Sequence, residues 1–169
     1  REKTESDMVD EQNPTKRSEV MDIQELYALY EKHPVVTTDS RNCPKGSIFI
    51  ALKGETFDGN KFAKAAIEKG CSYAVIDEKE YADPGDSRFI LVDDTLIAYK
   101  ELARQHRRQF QIPVIGITGT NGKTTSKELI SAVLSEKFKV WHTEGNFNND
   151  VGVPRTLLGL NADHEIAVI

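Results

Sequence analysis

The sequence is short of cysteine, of long apolar runs and of basic charge, and each shortage removes a class of protein. Only two cysteines, Cys43 and Cys71, occur in 169 residues. They have neither the spacing of a metal clip nor a secretory segment ahead of them, so reduced thiols are expected rather than a disulfide framework. No stretch approaches the roughly 20 apolar residues that a membrane-spanning helix requires, and the amino terminus is polar rather than signal-like. Lys and Arg number 22 against 27 Asp and Glu, a net charge of −5, which favours neither nucleic acid nor an anionic bilayer. A cytoplasmic globular protein without a nucleic-acid or membrane partner is expected, long enough to bury a core.

What is present is an alternation of apolar periods. Residues 1–20 mix acids, Lys, Arg, Ser and Thr with almost no large apolar side chain, a composition that does not offset the entropy of ordering, and are read as a disordered or non-native extension. From Met21 the pattern becomes regular: Ile23, Leu26, Tyr27 and Tyr30 fall on one face of a short helix. Ile48 to Leu52 reads as a strand and Asp58 to Gly70 as a helix with Phe62, Ala65 and Ala66 inward, stopped by Gly70. Strands follow at Tyr73–Ile76 and Phe89–Val92. Asp93-Asp94-Thr95 then caps a helix to about Phe110, buried along Tyr99, Leu102, Ala103, His106 and Phe110. Pro113 opens a fresh run: strand 114–118, a glycine-rich loop, a helix from Lys123 to about Lys137 faced by Leu129, Ile130, Val133 and Leu134, then strand 139–143, a helix around Val153–Leu160 and strand 166–169. The fold class expected is α/β, with a small domain over 21–110 and the start of a nucleotide-binding Rossmann-like domain over 111–169, which looks truncated because a doubly wound sheet does not normally stop there.

Between the strand at 114 and the helix at 123 stands Gly116-Ile117-Thr118-Gly119-Thr120-Asn121-Gly122-Lys123-Thr124-Thr125. That strand–loop–helix setting is the one a phosphate loop needs. Glycines 119 and 122 let main-chain amides turn toward phosphate oxygens, and the helix beginning near Lys123 adds its positive end. Lys123 supplies a point charge to the β and γ phosphates, and the Thr124 hydroxyl is placed to ligate magnesium, so ATP with Mg²⁺ is the implied ligand. The generic pattern places its first glycine where this chain has Ile117.

The spelling Thr118 to Thr125 resembles the ATP loop of the Mur ligases, in which that shift is the rule. Thr143-Glu144-Gly145-Asn146-Phe147-Asn148-Asn149-Asp150-Val151-Gly152-Val153-Pro154 is similar to the segment of the branch that adds D-alanyl-D-alanine to a UDP-N-acetylmuramoyl tripeptide. Thr38-Asp39-Ser40-Arg41, Pro44 to Gly54 and Asp58-Gly59 are similar to that branch's uridine-binding domain and to the same domain of its tripeptide-forming relative. The resemblance covers residues 21–169. It implies a small UDP-substrate-binding domain followed by the first part of the central ATP-binding domain of a larger, monomeric ligase of peptidoglycan synthesis. In such ligases ATP phosphorylates a carboxylate, an amine attacks the acyl phosphate, and no protein nucleophile takes part. It further implies nucleotide contact by Gly119, Thr120, Asn121, Gly122, Lys123, Thr124 and Thr125, catalytic roles for Lys123 and Thr124, metal contact by Thr124, Asn146 and Asn149 near nucleotide and reacting carboxyl, and Ser40 and Arg41 on the UDP group. A fragment of this extent is expected to bind better than it catalyses.

Plainer readings stand beside these. Asn146, Asn148 and Asn149 suit a turn, and Asp39-Ser40-Arg41 suits a solvated turn with a local ion pair. The four histidines lack metal-ligand spacing, and His106 reads as a satisfied core residue. Lys127 and Glu128 read as solvated, and Trp141 and the phenylalanines as core. The tripeptide-forming ligase, folylpolyglutamate synthesis and a stand-alone P-loop module remain alternatives; the segment from Asn146 to Pro154 weighs against the first, the uridine-type segments against the second, and the third would bind ATP without any dependence on a UDP compound.

Overall fold

The structure, a computed structural model, describes residues 20–169; the expected extension over residues 1–20 lies outside it except for Val20. Four strands, β1 (Val36–Thr37), β2 (Ile48–Ile50), β3 (Tyr73–Ile76) and β4 (Phe89–Leu91), form one parallel sheet in the order 1-2-3-4. Period-2 alternation divides its side chains between two cores. Ile48, Ile50, Val75 and Ile90 pack with Leu26, Tyr27 and Tyr30 of α1 (Ile23–Lys32) and with Tyr99, Leu102 and Ala103 of α3 (Thr95–Arg107). Phe49, Ala51, Ala74 and Ile76 face the other way, onto Ala63, Ala66 and Ile67 of α2 (Ala63–Lys69). Burial on both faces explains the unbroken apolar run at Ile48–Ala51.

The helix ends follow local chemistry. The carboxylates of Asp22 and Asp94 accept from the amides of Glu25 and Ile97, one turn into α1 and α3, and Gly70, at φ +123°, closes α2. The helix expected over 58–70 divides: Gly59–Phe62 is a tighter 3-10 turn, and α2 proper begins at Ala63. This rotates Phe62 outward, against expectation, where its ring stacks on the exposed Phe57 at 5.4 Å.

A second parallel sheet, in the order β5-β7-β6, is formed by β5 (Val114–Ile115), β6 (Val140–His142) and β7 (Ile166–Val168), with crossovers through α4 (Lys123–Ser135) and α5 (Gly152–Leu158). Here too one expectation is corrected. Of the four apolar residues assigned to the inner face of α4, Ile130 and Leu134 are half-buried, but Leu129 and Val133 are 62% and 72% exposed. The buried positions are Lys127 and Ser131. The two sheets meet where α3 packs against α5, and Leu158 joins the core of the first sheet. Both cysteines are free, and burial pushes the Cys71 thiol up to about 11. Among the described residues no helix is long and apolar enough to cross a membrane.

At the carboxyl end of β3, Asp77 sits with its side chain 2% exposed, 3.0 Å from the Lys53 ammonium. It accepts from Asn60 Nδ2 at 2.9 Å and from the Thr95 amide at 3.1 Å. Burial alone would raise its pKa, but hydrogen bonds from Asn60, Thr95 and Lys53 outweigh that and hold the carboxyl below its ordinary value. A carboxyl with a lowered folded-state pKa adds stability above the unfolded value of about 4 and loses it as pH falls through the folded value. Asp77→Asn should therefore cost about 2–3 kcal/mol at pH 7. Urea unfolding at pH 7 and at pH 3 checks this: the gap between variant and parent should narrow at the lower pH.

Candidate functional site

The carboxyl edge of β5 leads directly into the glycine-rich loop. Gly119 and Gly122 have φ of +151° and +76°, and Gly122 ends the loop in the left-handed region as α4 begins. A Cβ at Gly122 would meet no atom within 4 Å, so glycine is needed there for its backbone angle and not for space. The first helical bond runs from the Ser126 amide to the Gly122 carbonyl at 2.9 Å. Among the described residues the amides from Thr118 to Thr125 have no acceptor, and the loop from Thr118 to Gly122 is exposed. A row of free N–H groups at a helix start is an anion site by construction. Lys123 folds back onto its own loop, donating from Nζ to the Gly119 carbonyl at 2.6 Å.

The facing wall is the chain leaving β6. Gly145 turns at φ +53°, and Asn146 and Asn148 come to line a cavity together with Ile117, Lys123, Thr124 and Thr143. At about 30 Å³ it admits a water or a terminal phosphate oxygen but no base or ribose, and is the floor of an open site. Lys123, Thr124 and Asn146 are thus brought together. Asn149 is not: its Oδ1 accepts from the amides of Val151 and Gly152 at 3.2 and 2.8 Å, holding the start of α5. Lys127, expected in solvent, lies inside this wall at 4% exposure, whereas Glu128 is exposed as expected. Lys127 stands four residues after Lys123, which puts both on one helix face, and that spacing is the sequence signal for its place in the wall.

Ser40 and Arg41 lie elsewhere. The Arg41 guanidinium grips Asp39 through two bonds of 2.9 Å in full solvent, and hydrogen bonds from Arg41 bring the Asp39 carboxyl down to about 2. The Ser40 carbonyl accepts from Lys69 Nζ at 2.7 Å. Their neighbours Thr38, Asp39 and Asn42 line a groove of about 210 Å³ that is closed from the second sheet by Arg155 and from α3 by Tyr99. The Arg155 guanidinium lies 4.7 Å from the Phe147 ring. A larger cavity of about 320 Å³, between the starts of α1 and α3, has a mostly apolar lining that includes Leu26, Val92 and Ile97, and the carboxylates of Asp22, Asp93, Asp94 and Glu101 beside it repel phosphate. His106 is a core residue as read: Nε2 faces the Leu160 carbonyl at 2.8 Å and Nδ1 the Tyr27 hydroxyl at 3.3 Å, and burial lowers its pKa.

With this geometry in view, residues 34–120 match the Mur ligase family, catalytic domain, and residues 117–169 the Mur ligase middle domain. The chain belongs to the Mur ligase family. The UDP-N-acetylmuramoyl-tripeptide–D-alanyl-D-alanine ligases of Synechocystis and Bacillus subtilis are 45% and 44% identical to it, over 79% of this chain and 30% and 29% of theirs. Crystal structure I of MurF from Acinetobacter baumannii superposes with a TM-score of 0.73 at 38% identity, covering 79% of this chain and 29% of that one. MurF ligase from Thermotoga maritima, crystallised in complex with ADP, gives 0.71 at 32% identity, over 79% of this chain and 31% of that one. The chain thus spans less than a third of the length of the curated relatives it matches. Its α/β architecture of parallel sheets is that of these ligases, the middle domain being their nucleotide-binding Rossmann-like part.

Gly122→Ala tests whether the Mur loop depends on backbone shape. The left-handed angle should cost about 1–2 kcal/mol, and nucleotide affinity should fall with the loop displaced. Thermal unfolding and ATP titration of the same variant read the two effects.

Proposed function

We propose that this chain is the amino-terminal part of an ATP-dependent amide-bond ligase that adds D-alanyl-D-alanine to a UDP-N-acetylmuramoyl tripeptide, a cytoplasmic, monomeric enzyme of peptidoglycan synthesis. The observation that carries the reading is the row of acceptor-free amides from Thr118 to Thr125 beside Lys123 and Thr124, in a chain whose curated relatives at 41–45% identity have that name. Residues 21–110 then form the domain that holds the UDP substrate, and residues 111–169 begin the ATP-binding domain.

The roles follow from position. The amides of Gly119, Thr120, Asn121, Gly122, Lys123, Thr124 and Thr125 cradle the β and γ phosphates of ATP, and Lys123 leaves the Gly119 carbonyl to pair with them. Thr124 offers one hydroxyl to Mg²⁺. Magnesium beside a triphosphate would keep most of its ligands as phosphate oxygens and water. Bound there, the ion neutralises charge on the transferring phosphoryl group. Asn146 reaches the same site from the opposite wall, and Asn149 acts one step back by fixing the start of α5. Ser40 and Arg41 flank the groove proposed for the UDP moiety, where Arg155 offers a cation toward its diphosphate. No side chain is required as a nucleophile, since holding the reactants and neutralising charge supply most of the catalysis of phosphoryl transfer.

Calorimetry separates the two sites. The chain should bind ATP with Mg²⁺ and, independently, UDP-N-acetylmuramoyl peptides; Lys123→Ala should weaken ATP by about 100-fold, as expected when a charged hydrogen-bond donor to phosphate is removed, and leave the UDP compound unaffected. Equal ATP binding by parent and variant would remove the ligase reading.

A further inference from the structure

We infer that Lys127 is a positioning residue: its buried ammonium ties the carbonyls of Thr143 and Gly145 to α4 and so sets Asn146 against Lys123 across the phosphate site. The inference rests on the nucleotide-binding reading above and deepens it.

Lys127 is 4% exposed, and an ammonium taken out of water is tolerated only when its donors are satisfied. Its three are. Nζ bonds closely to the Thr143 carbonyl, donates to the Gly145 carbonyl at 2.7 Å, and meets Glu128 Oε1 at 3.0 Å. No proton of Lys127 is left for a phosphate, which separates it from Lys123, one helical turn earlier, whose Nζ bonds only a carbonyl of its own loop. The two carbonyls it holds are separated by one residue, so a single cation draws both inward and bends the chain sharply; Gly145 accommodates the bend at φ +53°. Asn146 follows at once and lines the cavity with Lys123 and Thr124. An apolar side chain would fill the same volume but leave the Gly145 carbonyl unpaired and the Thr143 carbonyl with only the His142 ring, 3.2 Å from its Nδ1, and among the described residues no other hydrogen bond ties this turn to α4. Ser131, the next buried residue on that helix face, makes no such bridge: its hydroxyl has no partner among the described residues.

The test is a double-mutant cycle on ATP affinity, measured with Mg²⁺ on the 169-residue chain: Lys127→Met, Asn146→Ala and both together, with Ser131→Ala as a control on the same helix face. Lys127→Met should weaken ATP by about tenfold, the scale of one lost charged hydrogen bond. If it acts through Asn146, the double variant should be no weaker than the poorer single variant, within about twofold. Ser131→Ala should bind as the parent does. Lys127→Gln keeps amide donors for the carbonyls and should recover part of the loss; it carries the same cycle if the methionine variant does not fold. Additive losses, or glutamine as damaging as methionine, overturn the positioning role while leaving ATP binding intact. A parent chain that binds no ATP overturns both this inference and the reading beneath it.

Discussion

The seam between α3 and α5 is the contact on which the rest of the arrangement depends. Each sheet has its own helices, and the packing of α3 against α5, with α1 beside it, fixes the edge of one sheet against the edge of the other. Tyr30 donates to the carbonyl of Leu158, the last residue of α5, at 2.7 Å, and His106 Nε2 approaches the Leu160 carbonyl at 2.8 Å. A carbonyl can only accept, so Nε2 carries the proton and Nδ1 is left to accept from the Tyr27 hydroxyl, a neutral tautomer in keeping with a pKa lowered by burial. The carbonyl of Leu158, at the helix end, has no partner within α5, and it and the Leu160 carbonyl just beyond find theirs on the other side of the seam. The groove lined by Asp39, Tyr99 and Arg155 exists only because this contact holds its two walls together.

The same accounting of polar groups shapes the candidate phosphate site from both sides, with opposite results. On the loop, main-chain donors are left without acceptors and face solvent, which stores affinity for an anion. In the opposite wall the charged and amide groups are paired, Lys127 with two carbonyls and Glu128, and Asn149 with the amides that begin α5, while the buried Thr143 hydroxyl has no partner among the described residues. A loop with open main-chain donors, set against a wall whose charges are already paired, suits a site that receives charge without the protein rearranging.

The chain reads well where one physical signal dominates. The strands at Ile48, Tyr73 and Phe89, the cap at Asp94, the stop at Gly70 and the strand–loop–helix around Lys123 follow from period, capping chemistry and glycine content, which act over a few residues; the two-residue β1 at Val36–Thr37 is too short to leave such a signal. Failures occur where a longer-range fact competes. Phe62 was expected inward as part of one helix, but the 3-10 turn at Gly59–Phe62 turns it out. Leu129 and Val133 sit at helical spacing for a core face, yet α4 meets the second sheet through the face that carries Lys127 and Ser131. Apolarity alone does not say which face a neighbour will cover.

The sequence by itself determined the α/β class, the division into two α/β units, the glycine-rich loop between strand and helix and the Mur resemblance, because each is written in short, contiguous patterns whose geometry is local. Only the tertiary structure decided that Lys127 is buried, that Asn146 rather than Asn149 reaches the cavity, and that Arg155 closes a groove begun by Asp39. Those outcomes depend on which distant carbonyl or amide a side chain meets once the helices have packed, and partners separated by many residues leave no periodic trace in a single chain.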